Sequence, residues 1–188
     1  MLAEGYPPTT AAAACKELAR GAGPAGMIGG QVDDMACATA VSAVVGPPHT
    51  ADTALAHGSV EALERLHARK TGALIRASLR LGALAAFAPD PPPADVMERL
   101  DGYGRRIGLA FQITDDLLDV EGSADRAGKR VGKDAGRGKL TYPGLLGVEE
   151  SRRRAERLCR EAAEQLAPFG SDAAGLLALA AFVLERDR

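Results

Sequence analysis

Apolar residues recur along this chain at three- and four-residue spacings, and no stretch alternates with the period of two that marks a strand. Thr9 or Thr10 is placed to cap a first helix running to about Arg20, which Gly21-Ala22-Gly23-Pro24 breaks. A second helix is expected from near Ala25, carrying Gly26, Gly29, Gly30, Gln31 and Asp34. A small apolar run from Ala36 to Val45 stops at Gly46-Pro47-Pro48, and residues 46–57 read as a polar insertion. Ser59 then caps a helix with Ala62 in its first turn and Leu63 and Leu66 inward. Lys70 to Leu84 forms the next helix, with Leu74, Ala77, Leu81 and Leu84 on one face. After a loop at Pro89–Pro93, a long helix starts close to Asp95 and runs through Phe111-Gln112-Ile113-Thr114-Asp115-Asp116-Leu117-Leu118-Asp119-Val120. Ile107, Phe111 and Leu118 are its expected core stripe. Ala155, Leu158, Ala162 and Leu166 mark a further helix ended by Gly170, and Ala174 to Leu184 a last apolar one. The pattern predicts an all-α chain.

Composition narrows the class. The 188 residues suit a single domain with a real core. A net charge of −2, from 23 basic and 25 acidic residues, gives no nucleic-acid footprint. Cys15, Cys37 and Cys159 contain no CxxC pair and read as reduced thiols of a cytoplasmic protein. His49, His57 and His67 lack zinc-site spacing and are expected at the surface or at helix ends. No unbroken apolar run approaches the roughly 20 residues of a membrane span, and the N-terminus has no signal-peptide form.

The candidate chemistry lies in the long helix. Gln112, Asp115, Asp116 and Asp119 fall at i, i+3, i+4 and i+7, one stripe of one face. Clustered carboxylates repel unless a cation joins them, and oxygen-only ligands suit Mg²⁺. The same run also reads as an amphipathic helix with a solvated acidic face. Three glycines in the second helix cost roughly 1 kcal/mol each against Ala, which points to close packing or a ligand. Gly102, Gly104 and Gly108 would likewise allow tight helix packing. Gly72, Ala73 and Ala77 leave a groove beside Lys70 and Thr71, suited to an amphiphile with an anionic head; a core helix with a snorkelling lysine fits this segment equally. Beyond Gly122, five basic residues lie between Arg126 and Arg137, with Lys139 just beyond. Such a loop beside a metal-binding face is what a diphosphate requires; by itself it also reads as a solvated linker.

Four stretches in this order, GMIGGQVDD, KTGALIRASLRLGAL, FQITDDLLD and GK-x₃-KD-x₄-KLTYPGLLG, resemble the trans-isoprenyl diphosphate synthases, or polyprenyl synthetases. The likeness is greatest to bacterial farnesyl and geranylgeranyl diphosphate synthases. It runs from about Leu18 to Arg188, with residues 37–56 as an insertion. The resemblance implies a helical bundle of the isoprenoid synthase type, and a Mg²⁺-dependent prenyltransferase that condenses an allylic diphosphate with isopentenyl diphosphate in isoprenoid biosynthesis. It implies Asp115, Asp116 and Asp119 at the metal, with Asp115 the main ligand. Lys70, Lys129 and Lys139 would hold the allylic diphosphate. Thr71 and Gln112 would stand beside the reacting carbons, Gln31 and Asp34 would line the pocket, and Asp134 would order the basic loop.

The likeness also has a gap. A first aspartate-rich motif and an upstream Gly-Gly-Lys belong to the family pattern and are not in these 188 residues. The pair Asp33-Asp34 does not replace that motif, because Cys37 stands where a third carboxylate would be needed. The chain therefore reads as the C-terminal half of a synthase, one domain over 1–188, inactive alone, and expected to pair as a homodimer or with its missing N-terminal half. The alternative is a non-catalytic or regulatory partner of a prenyl diphosphate synthase. A class I terpene cyclase fragment fits less well, since FQITDDLLD stands where an Asn/Ser/Glu metal motif would be expected.

Overall fold

A computed structural model describes residues 5–42, 59–127 and 140–186, and among these every regular element is a helix. The order is α1 (Pro8–Ala22), α2 (Met27–Ser42), α3 (Val60–His67), a π-helical turn (Ala68–Gly72), α4 (Ala73–Phe87), α5 (Ala94–Ala127), α6 (Tyr142–Leu146), α7 (Val148–Leu166), a 3₁₀ segment (Ala167–Ala173) and α8 (Ala174–Glu185). The all-α expectation holds.

The axis of the bundle is α5, whose 34 residues extend about 50 Å at the usual helical rise. Helix α4 packs along one side of it and α7 along another, while α8 lies against both α5 and α7. Helix α1 covers the outside of α4, and α2 lies on the π turn. The buried seam of α5 is Tyr103, Ile107, Ala110, Thr114 and Leu117, spaced by four, three, four and three residues. Towards its N-terminal end this seam meets Cys159, Ala162 and Leu166 of α7 and Ala180 and Val183 of α8. Further along, Ile113 and Leu117 meet Leu63, Leu66, Tyr142 and Ala155. The expected core stripe was thus partly displaced: Ile107 is buried, but Phe111 and Leu118 are only half-buried, because they lie to one side of the seam through Tyr103, Ala110, Thr114 and Leu117.

Polar groups tie the layers. The Tyr103 hydroxyl donates to the Leu176 carbonyl of α8 at 2.7 Å, and burial pushes its pKa up to about 12. Arg80 staples three helices: its Nε donates to Glu17 of α1 at 2.8 Å and its Nη1 to Asp101 of α5 at 2.9 Å.

Element ends follow the sequence in part. The Ser59 side chain accepts from the Ala62 amide at 3.2 Å, as expected of a cap. Helix α1, however, starts at Pro8 with no side-chain cap, and Thr10 is buried inside it. A proline at the first helical position needs no hydrogen bond for its nitrogen and already has a helical φ. Gly26 lies in the turn before α2 rather than within the helix. His67 ends α3 but is buried, its ring 5.7 Å from that of Tyr142. His49 and His57 lie outside the described residues, as does most of the expected insertion at 37–56. Cys15 is exposed, Cys159 is buried, and both are free thiols.

Val148–Glu185 contains a stretch that by length and composition is apolar enough to cross a membrane. Gly170, at φ 54°, breaks it into two helices, and the 12 residues of α8 cover only about 18 Å.

Leu166 is 1% exposed and sits between α5, α7 and α8. Leu166→Ala is expected to cost about 2–5 kcal/mol, read as a lowered urea midpoint with an unchanged slope.

Candidate functional site

The site is built where α4 and α5 come closest. A Cβ on Gly108 would stand 3.1 Å from the Gly72 Cα, so Gly108 leaves little room for a side chain against that backbone. Lower down, a Cβ on Gly104 would meet Arg76 and Leu79, and Asp101 pairs with Arg80. These contacts define an antiparallel register. Carried on past Gly72, it puts Thr71 and Lys70 about level with Leu109 and Ala110, within a turn of Gln112. The π turn Ala68–Gly72 supplies that last step; such turns insert one residue into a helix and rotate what precedes them.

On the other side the π turn is clasped by α2. A Cβ on Gly30 would lie 2.3 Å from the Lys70 amide nitrogen, and one on Gly29 would strike Arg69 and the Pro24 carbonyl. The glycines of α2 therefore have a packing reason. Close approach lets Lys70 pair with Asp34 and Arg69 with Asp33. Arg69 also donates to the Pro24 carbonyl at 2.9 Å. Asp34, expected to line the pocket, is thus the partner of the candidate diphosphate lysine. Gln31 is exposed, and Thr71 and Gln112 are half-buried.

The three carboxylates of α5 do different things. Successive helical residues are rotated by about 100°, so Asp115 and Asp116 occupy opposite edges of the acidic stripe. The Asp116 edge adjoins Ile113 and Leu117, and Asp116 is 4% exposed with its Oδ2 accepting from the Tyr142 amide at 3.0 Å. The Asp115 edge faces away from that core. Asp115 is half-exposed and accepts from Arg186 at 2.8 Å. Asp119 is exposed. The expectation of three carboxylates acting as one set is therefore modified: among the described residues no group of three His, Cys, Asp or Glu side chains is placed to hold a metal ion together. Asp115 and Asp119, one turn apart, remain an oxygen-only pair open to solvent. Mg²⁺ is commonly bound through one or two carboxylates, with water and substrate phosphate completing the shell, so this pair fits it.

Lys129, Asp134 and Lys139 lie outside the described residues. The chain re-enters at Leu140, Thr141 caps α6 by accepting from the Gly144 amide at 3.2 Å, and Tyr142 docks on Asp116. The described chain thus resumes against α5, at the Asp116 carboxylate. Tyr142 is itself fully buried, and burial raises its pKa.

Sequence reasoning missed four of these partners. The adjacent acids Asp33-Asp34 and adjacent bases Arg69-Lys70 were a matched pair of signals. The Asp116–Tyr142 and Asp115–Arg186 contacts had none, since they span 26 and 71 residues.

The described residues form an all-α bundle in which a lysine-bearing turn packs against the helix that carries the carboxylates. The polyprenyl synthetase profile matches residues 20–169, and the chain belongs to that family. It is 43% identical over 175 residues to the farnesyl diphosphate synthase of Escherichia coli (strain K12), covering 92% of this chain and 52% of that protein. An FPP/GFPP synthase structure from Zymomonas mobilis superposes with a TM-score of 0.72 at 32% identity, covering 94% of this chain and 52% of that one. The geranyltransferase of Helicobacter pylori, in complex with magnesium and isoprenyl diphosphate, superposes at 0.68 with 26% identity, covering 98% and 54%. The chain spans about half the length of these relatives.

Asp116→Ala leaves the Tyr142 amide buried without its acceptor and is expected to cost about 1.5–3 kcal/mol. Asp116→Asn keeps an acceptor oxygen and should cost less. Chemical denaturation of the two variants measures the difference.

Proposed function

We propose that this chain supplies one wall of a prenyl transfer site, for Mg²⁺-dependent condensation of an allylic diphosphate with isopentenyl diphosphate. The observation that carries the reading is the register set by Gly72 and Gly108, which brings Lys70 and Thr71 within a turn of Gln112, itself one turn from Asp115. In this reading Lys70 exchanges its Asp34 partner for diphosphate oxygens. Its positive charge then opposes the negative charge that develops on the leaving group. Lys129 and Lys139, on the segment before Tyr142, add further cations to the same group. Thr71 and Gln112 present oxygen dipoles to the allylic carbons as they become positive. Gln31 borders the site from α2, and Asp134 holds the basic segment in shape. Asp115 and Asp119 hold the Mg²⁺, whose contribution is to neutralise the diphosphate. Asp116 acts through its anchor on Tyr142.

The reading also assigns a second wall, with its own carboxylates, to a polypeptide outside these 188 residues. This chain alone is then expected to turn over little or no substrate. The free thiols Cys15 and Cys159 support a cytoplasmic setting.

The alternative, a non-catalytic partner of a prenyl diphosphate synthase, is favoured by one observation. Ile28, Val32 and Met35 form a stripe along α2 and are 52%, 60% and 62% exposed. Apolar stripes of this kind mark contact surfaces. A monomer in sedimentation equilibrium counts against this alternative.

The main test has two arms. In a radiolabel assay with Mg²⁺, geranyl diphosphate and isopentenyl diphosphate, the chain alone should give no product above background. Robust turnover contradicts the missing-wall reading. In calorimetry with Mg²⁺ and inorganic pyrophosphate, Lys70→Ala should weaken binding by about 10- to 100-fold, the loss of one charge-assisted hydrogen bond. Unchanged affinity contradicts the role given to Lys70.

A further inference from the structure

Arg186 follows directly on α8, and it lies against the carboxylate that the proposed function gives to the metal. Its Nη2 donates to Asp115 Oδ1 at 2.8 Å. Its guanidinium carbon lies 4.5 Å from the centroid of the Phe111 ring. Phe111 and Asp115 are one turn apart on α5, so a single guanidinium binds both, by charge at one residue and by stacking at the other. The side chains of Arg186 and Asp115 keep 27% and 39% of their exposure, so solvent ions reach the pair. The arginine is not delivered by a loose tail. Ala180 and Val183 of α8 are buried in the core against α5 and α7, and Arg186 continues the last turn, where a cation also suits the helix dipole.

A guanidinium and a divalent cation cannot share this carboxylate cheaply. Both are positive, and bringing the metal to bonding distance of Asp115 sets it within a few ångströms of the arginine. We infer that Arg186 is a resident counter-ion on Asp115, which holds the carboxylate oriented while no metal is bound and is displaced when a divalent cation binds. The inference rests on the reading of Asp115 as a metal ligand. It adds a cost to metal binding that is built into this chain and located at a single residue. The exchange breaks the Arg186–Asp115 ion pair and the stack on Phe111, and forms the carboxylate–metal bond; no proton or electron changes hands.

The test uses the 188-residue chain and Mn²⁺, followed by loss of the free-ion EPR signal. Arg186→Gln should bind Mn²⁺ about 3- to 10-fold more tightly than the wild type, the worth of one exposed ion pair and one cation–π contact. Asp115→Asn should weaken binding in either background. If Arg186→Gln binds no more tightly while Asp115→Asn still weakens, the exchange is overturned and the metal reading stands. If Asp115→Asn binds as the wild type does, the metal reading fails and the exchange with it. A second measurement does not depend on the folding of any variant. In arginine-selective NMR of the wild type, the Arg186 Nε resonance should move as Mg²⁺ is added. A resonance unmoved at saturating Mg²⁺ overturns the proposal.

Discussion

The close approach of Gly72 and Gly108 is the constraint on which the site depends. Two helix backbones meet there with a gap that a Cβ on Gly108 would fill to 3.1 Å. A Cβ at Gly108 would press on the Gly72 backbone by a few tenths of an ångström, and a larger side chain by more. The contact fixes how far one helix is slid along the other, and that alone decides which residues of the π turn stand beside which residues of the acidic helix. A slide of one turn, about 5.4 Å, would put Lys70 opposite a different set of side chains. Gly30 does the same for α2, since it lets that helix reach the Lys70 backbone and bring Asp34 to the lysine. Small residues thus act as spacers of zero thickness, and the charged groups they bring together carry the chemistry.

The division of labour within Asp115-Asp116 follows from helical rotation. Neighbours in sequence point about 100° apart, so one carboxylate of an adjacent pair must turn towards whatever packs on its side. In α5 that carboxylate is Asp116, and the core beside it holds the Tyr142 amide. A buried carboxylate is tolerated there because it accepts a backbone hydrogen bond; without that partner the burial would be costly. The contact also returns the chain to α5 after the basic stretch. One aspartate therefore anchors Tyr142 while its neighbour stays half-exposed to solvent.

Much of the fold was legible in the sequence. The period of three and four gave the longer helices of the described residues but not α6 or the π turn, and Ser59, Gly170 and the spacing Ala155, Leu158, Ala162 and Leu166 gave several of their limits and faces. The acidic stripe and Lys70 were legible as candidate chemistry, and the family resemblance supplied their roles. The reading of the stripe as one uniform face was less accurate. Periodicity gives direction around one helix but does not say how much of the circumference the neighbours enclose, and here α3, α6 and α7 reach as far as Asp116. Contacts across long separations, such as Arg186 on Asp115 or Arg80 between Glu17 and Asp101, left no local trace. They depend on which helix ends meet in the bundle. The paired acids of α2 were seen as an incomplete aspartate-rich motif, with Asp34 as a pocket residue, although their match to Arg69-Lys70 was present in the sequence.

The central claim is that helix register, through Gly108, assembles the diphosphate site. Gly108→Val and Gly82→Ala separate this from a general effect of altering glycines, because a Cβ at Gly82 meets nothing within 4 Å. The measurement is the affinity of each variant for inorganic pyrophosphate in the presence of Mg²⁺, with helix content checked by circular dichroism. The account predicts that Gly108→Val stays helical and loses at least about tenfold in affinity, roughly 1.4 kcal/mol, while Gly82→Ala binds as the wild type does. A folded Gly108→Val that binds pyrophosphate with wild-type affinity would contradict it.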